Sequence, residues 1–222
     1  MFDFARARTQ MVDSQLRTSD VTSHRLLAAF LEIPREAFVN GGMATLAYRD
    51  DEITVSVSGA ARPCNMTEPR VLARMIQALG VRETGAVLVV GAGTGYSAAI
   101  LSRICDSVIA LESDAALAGR ATEILDGIGV TNVVVVEGDL PAGLPDQAPF
   151  DAILIDGAVE EVPDALVRQL APDGRLSAIV GRAPYGKAML YRHEGAHISS
   201  RVLMDANAPL LPGFEREVQF VF

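Results

Sequence analysis

The chain has 222 residues, half of them hydrophobic, and a formal net charge of −9. That length fits one large domain, or a domain with an added arm, and the apolar share is ample for a sizeable core. The acidic balance, with no Lys/Arg cluster, argues against DNA or RNA as substrate; no apolar run reaches the ~18 residues of a membrane span, and the charged start MFDFARARTQMVDSQLR is unlike a secretory signal, so a cytoplasmic location is expected.

Residues 3–31 read as two amphipathic helices, separated near Thr18-Ser19-Asp20 and stopped before Pro34. Residues 40–63 lack helical periodicity, although 52–58 alternates like a short strand. Cys64 and Cys105 lie far apart without ligand spacing, so neither a zinc site nor a disulfide framework is expected. Cys105, at the end of an apolar helix, is expected to pack as a small hydrophobe. Pro69 opens a helix that runs to 79, with Thr67 or Glu68 as its cap.

From Gly85 onward the pattern alternates. Strands are predicted at 86–91, 107–112, 132–137, 150–156 and 174–181, with helices at 95–105, 114–127 and 160–170. The strands are nearly continuous apolar runs, as at 133–136 and 152–155, which indicates a parallel sheet covered on both faces. Further strands follow at 187–192, 199–203 and 217–222. The expected fold is α/β, a doubly wound, mostly parallel sheet with an N-terminal helical arm. Residues 1–68 are expected to form the arm and a substrate or lid segment, and residues 69–222 the core.

The segment 87–101, VLVVGAGTGYSAAIL, carries the chemistry. An apolar strand ends in Gly91-Ala92-Gly93-Thr94-Gly95 and a helix begins at Tyr96, so flexible backbone can approach a ligand beside a helix N-terminus. A second apolar strand delivers Glu112, followed by Ser113, about twenty residues after the first glycine, where an acid can accept from ribose hydroxyls. An adenosine-containing cofactor is expected. The dinucleotide fingerprint is unmet at Tyr96, and G-x-G-x-G followed by Tyr is the pattern of S-adenosylmethionine (SAM) methyltransferases; NAD and a plain turn are the alternatives.

In open parallel sheets, ligands sit beyond the carboxyl ends of the strands. Those ends also carry Gly138-Asp139-Leu140, where Asp139 either accepts from an adenine amino group or is a turn residue. Asp156-Gly157-Ala158 follows the next strand, with Asp156 either a reactive-centre residue or a turn former. Glu112 has an alternative role as cap of the helix starting near Asp114.

In these segments the chain resembles the protein-L-isoaspartate O-methyltransferases. The resemblance runs through MVDSQLR (11–17), IPREAFV (33–39), AYRD (47–50), VVGAGTGYSAA (89–99), GDLPAGLPDQAPFDAILI (138–155) and VPDALVRQLAPDGRL (162–176). The N-terminal segments are the specific ones, because they lie outside the cofactor fold. The resemblance implies an arm closing over SAM and a peptide, and methylation of isoaspartyl carboxylates in damaged proteins, with S-adenosylhomocysteine as product. The family reads Gly-Gln-Thr-Ile-Ser-x-Pro where this chain has Pro63-Cys64-Asn65-Met66-Thr67-Glu68-Pro69, so Thr67 falls on the functional serine and keeps a hydroxyl. It reads Val-Thr-Ala-Ala where this chain has Ile155-Asp156-Gly157-Ala158.

Methyl transfer to a carboxylate needs alignment and replacement of water rather than a general base. The resemblance gives Thr67 the role of orienting that carboxylate; capping the helix at Pro69 is the alternative. An ionised Asp156 about 5 Å from a substrate carboxylate would repel it by roughly 3 kcal/mol at an effective dielectric of about 20. An acid there suits a neutral hydroxyl or amine acceptor, including a small molecule. A non-catalytic SAM-binding role is a further alternative. No metal is expected, and Arg70 and Arg182 are candidates to offset Asp156 or to hold an acidic substrate, or are simply exposed.

Overall fold

A computed structural model of the protein describes residues 2–195 and 197–215. The arm begins with α1 (Phe4–Met11), whose pitch widens to a π turn over Val12–Leu16 and tightens to a 3₁₀ turn over Arg17–Ser19. Asp20, at φ 61°, stops it. The second helix, α2 (His24–Glu32), starts on Ser23, whose hydroxyl accepts from the Leu26 N–H. Short 3₁₀ turns follow over Arg35–Phe38 and Gly41–Leu46. Two three-residue strands, β1 (Ile53–Val55) and β2 (Cys64–Met66), then pair antiparallel. The expected strand at 52–58 is thus shorter, and β2 has no alternating signal in three residues. Next comes α3 (Pro69–Leu79), which buries Val71, Leu72, Met75, Ile76 and Leu79 on one face and ends on Gly80 in the left-handed region.

The core alternates as expected: β3 (Ala86–Val90), α4 (Tyr96–Ser102), β4 (Ser107–Glu112), α5 (Ala115–Gly127), β5 (Val133–Glu137), β6 (Phe150–Val159), α6 (Asp164–Val167) and β7 (Leu170–Val180), closed by β8 (Lys187–Glu194) and β9 (His197–Asp205). The sheet order is β5-β4-β3-β6-β7-β8-β9, parallel from β5 to β7 and antiparallel beyond. Val87 and Val89 of β3 face one apolar cluster with α3, α4, Ile124 and Leu125 of α5, and the arm. Leu88 and Val90 face the other, with Leu166 of α6. Both faces of β3 are therefore buried, which is why its sequence does not alternate. The switch point lies between β3 and β6, because the chain turns outward from β3 in both directions.

The helix expected at 160–170 is a single turn. Pro163 precedes it, β6 continues to Val159 to pair with Val180, and Leu170 already pairs with Phe150. Both neighbouring strands outcompete the helical pattern. The strand expected at 217–222 lies outside the described residues. Cys105 is buried, with its thiol near the Leu101 carbonyl, as a small hydrophobe would be.

Candidate functional site

The three loop glycines all have positive φ, at 77°, 55° and 93° for Gly91, Gly93 and Gly95, but for different reasons. A side chain at Gly95 would press on α5 at Ala121, 3.3 Å away. One at Gly91 would come within 2.8 Å of Leu211, and one at Gly157 within 2.6 Å of the same side chain. The close approach at Gly91 is thus made by Leu211 of this chain. Leu211 is held there by backbone pairing, its N–H donating to the Ala158 carbonyl and the Ala158 N–H donating to Pro209.

Glu112, 4 % exposed, ends β4 facing the loop. Its Oε2 accepts from the Gly93 N–H at 2.8 Å, and its Oε1 from the N–H groups of Ser113 and Asp114 at 2.8 and 3.2 Å. Helix capping falls to Asp114, whose Oδ1 accepts from Ala116 and Leu117 while Oδ2 accepts from Ala61. These backbone donors hold the Asp114 carboxyl below the usual range. Asp114→Ala is expected to cost about 1 kcal/mol of stability, read as a lower denaturation midpoint at unchanged m.

A cavity of about 300 Å³ lies between the loop and the β1–β2 hairpin, within the size range of small-molecule sites. Gly91, Gly93, Glu112 and Ser113 line one side, and Cys64, Thr67, Asp156 and Gly157 another. An adenosyl cofactor fits this donor set: Oε2 of Glu112 uses one of its two acceptor positions on Gly93 and keeps the other for a ribose hydroxyl.

At the other end, Thr67 does not cap α3. Its hydroxyl donates to Asp156 Oδ1 at 2.6 Å, while Glu68 takes the cap position without a side-chain bond. Burial pushes the Asp156 carboxyl up from its ordinary value, with the Ser97 and Thr67 hydroxyls and the Arg35 charge pulling it down. A carboxyl so shifted adds stability at low pH that is lost as pH rises through its folded value. Burial, and then Glu112, push the Cys64 thiol up to about 11.

Arg70 and Arg182 do not offset Asp156. Arg70 pairs with Glu68 and Asp50, Arg182 pairs with Glu160, and both are exposed. The cation facing Asp156 is Arg35, 0 % exposed, from the arm. Its Nε donates to the Ala47 carbonyl at 2.7 Å and its Nη2 to the Thr67 carbonyl at 2.9 Å, and it lies over the Tyr96 ring at 4.7 Å.

The remaining expected binding residues stand outside the cavity wall. Ala92 is pinned to Leu111, Thr94 donates to the Phe38 carbonyl, and Tyr96 is buried edge-on to Phe30 and Phe38. Leu140 is buried in the apolar cluster beneath the sheet, and Gly138 and the exposed Asp139 follow β5 without lining the cavity. Sequence reasoning gave no role to Arg35 or to the 208–212 wall. An arginine inside the apolar stretch IPREAFV, and leucines between Pro209 and Pro212, were the available signals.

A family model described as protein-L-isoaspartate(D-aspartate) O-methyltransferase matches residues 6–207. The protein-L-isoaspartate O-methyltransferase of Aromatoleum aromaticum is 39 % identical over 212 residues, covering 95 % of this chain and 94 % of that protein. That of Methylorubrum extorquens is 42 % identical over 188 residues, 85 % of this chain and 79 % of the other. A solved protein-L-isoaspartate O-methyltransferase structure superposes with a TM-score of 0.83 at 25 % identity, covering 93 % of this chain and 66 % of that one. A putative Plasmodium falciparum relative in complex with S-adenosyl-L-homocysteine shares the fold, with a TM-score of 0.76 at 16 % identity over 95 % of this chain and 99 % of that one.

Proposed function

The chain belongs to the protein-L-isoaspartate(D-aspartate) O-methyltransferase family, and on that premise we propose a division of its cavity into a cofactor end and an acceptor end. The activity is transfer of the methyl group of SAM to the side-chain carboxylate of isoaspartyl residues in proteins. We assign Gly91, Gly93, Glu112 and Ser113 to the cofactor, with Ala92, Thr94, Gly95 and Tyr96 holding the loop from outside the cavity wall, and we give Gly138, Asp139 and Leu140, which do not line the cavity, no contact with it. Thr67 and Asp156 face the acceptor. The observation that carries this division is the bond from the Gly93 N–H to Glu112, which joins loop and acid into one unit.

SAM supplies an electrophilic methyl group when bound. The acceptor carboxylate is ionised already, so the chain's own task is to aim one oxygen and to exclude water. The Thr67 hydroxyl serves that aim by turning its one proton from Asp156 to the acceptor oxygen that does not react. The functional division largely follows the chain: residues 1–68 bring Thr67 to the acceptor side, and residues 69–222 hold the cofactor and add Asp156 to the acceptor side. The acidic surface turns away nucleic acid, no helix among the described residues is long and apolar enough to cross a membrane, and two free cysteines suit a reducing cytoplasm.

The test is methyl ester formation on an isoaspartyl peptide against its aspartyl twin. Turnover is expected on the first only, and Thr67→Ala is expected to lower kcat/KM about tenfold through loss of one charge-assisted hydrogen bond. An enzyme that binds SAM yet esterifies neither peptide would sink the reading.

A further inference from the structure

Asp156 stands where a substrate carboxylate has to come, and it is bonded to Thr67, the hydroxyl assigned to that carboxylate. Arg35, from the arm, stands buried behind this end of the cavity without lining it, holding the Thr67 carbonyl with its charge acting on Asp156. Its Nη1 is buried without a hydrogen-bond partner among the described residues. We propose that Arg35 and Asp156 set the charge of the acceptor site, admitting the isoaspartyl carboxylate when Asp156 holds a proton and leaving Arg35 as the compensating cation. This rests on the reading that Thr67 and Asp156 face the acceptor.

The charge count decides it. With Asp156 ionised, the Arg35–Asp156 pair is neutral and offers an incoming carboxylate no net positive charge. With Asp156 protonated, one cation faces one incoming anion. Two carboxylates in one site cannot both ionise freely, so binding takes up a proton from solvent. During transfer the substrate oxygen forms the new C–O bond as the S–CH₃ bond breaks, and that electron pair goes to sulfur. The ester is neutral, so Asp156 releases its proton to solvent and pairs with Arg35 again.

The groups facing Asp156 are the Thr67 hydroxyl, the Ser97 hydroxyl on α4, the Arg35 guanidinium and the Cys64 thiol on β2. Cys64, pushed up to about 11, stays neutral across the working range. Arg35 is a positioning residue here, acting through Thr67 and Asp156.

The experiment is the pH profile of kcat/KM for an isoaspartyl peptide, in wild type, Asp156→Thr and Asp156→Asn, with the Kd for S-adenosylhomocysteine measured alongside. Wild type is expected to lose about tenfold per pH unit above the Asp156 ionisation, carried by KM, as one proton is taken up on binding. Both variants are expected to be flat there and to overtake wild type at the alkaline end, with cofactor affinity unchanged. Arg35→Gln is expected to raise KM throughout and to move the onset of the fall to higher pH, because a cation holding the proton off has gone; if it does not fold, the Asp156 variants decide alone. An Asp156→Asn enzyme with kcat lowered and KM unchanged would make Asp156 a base and overturn the proposal. The same slope in Asp156→Thr would also overturn it. Variants matching wild type at every pH would remove Asp156 from the acceptor end, and so fail the reading beneath.

Discussion

Replacing Glu112 with alanine is expected to raise the Kd for S-adenosylhomocysteine by thirty- to a thousand-fold, about 2 to 4 kcal/mol, in isothermal titration. Two losses combine. The ribose loses a charged acceptor, and the N–H groups of Gly93, Ser113 and Asp114 lose the carboxylate that fixes them. Glu112→Gln keeps one carbonyl oxygen and is expected to fall between. The Asp114 carboxylate keeps its own bonds to the Ala116 and Leu117 N–H groups, so α5 keeps its cap and the loss is in affinity rather than fold. An unchanged Kd in Glu112→Ala would place the cofactor elsewhere.

Arg35→Met is expected to lower the midpoint of thermal unfolding by about 10 °C, on the order of 3 kcal/mol for a chain of this size. The carbonyls of Ala47 and Thr67 lose their donors inside the protein, at about 1 to 3 kcal/mol each. The contact over Tyr96 adds about 2 kcal/mol when desolvated. Relief from burying a charge offsets part of the sum, since burial already pushes the Arg35 pKa down. A midpoint within about 2 °C of wild type would mean that the arm is held by apolar packing alone.

The parallel core was legible because its strands are long apolar runs with glycine turns between them. Phe150–Val159 and Leu170–Val180 were underestimated because both reach past their apolar centres, and the turn between them looked helical through Asp164–Val167. The hairpin strand Cys64–Met66 was invisible, as three residues carry no period. At the site, Gly91, Gly93, Glu112, Thr67 and Asp156 were visible as residue types at strand ends. What sequence could not supply was their pairing. Thr67 and Asp156 are 89 positions apart, and the cation that holds the Thr67 carbonyl comes from a third segment whose arginine was hidden in an apolar motif. Arg70 and Arg182 were plausible by proximity in sequence to the motifs, yet nearer carboxylates claim both.

Leu211 sits against Gly91 and Gly157, and its backbone is stitched to Ala158. Synthesis proceeds from the N-terminus, so the glycine turn and Glu112 leave the ribosome long before that leucine does. The cavity wall that Leu211 forms is therefore added after the strands and the glycine turn it packs on. A nascent chain arrested after β9 holds Glu112 and the glycine turn but leaves that side of the cavity unsealed.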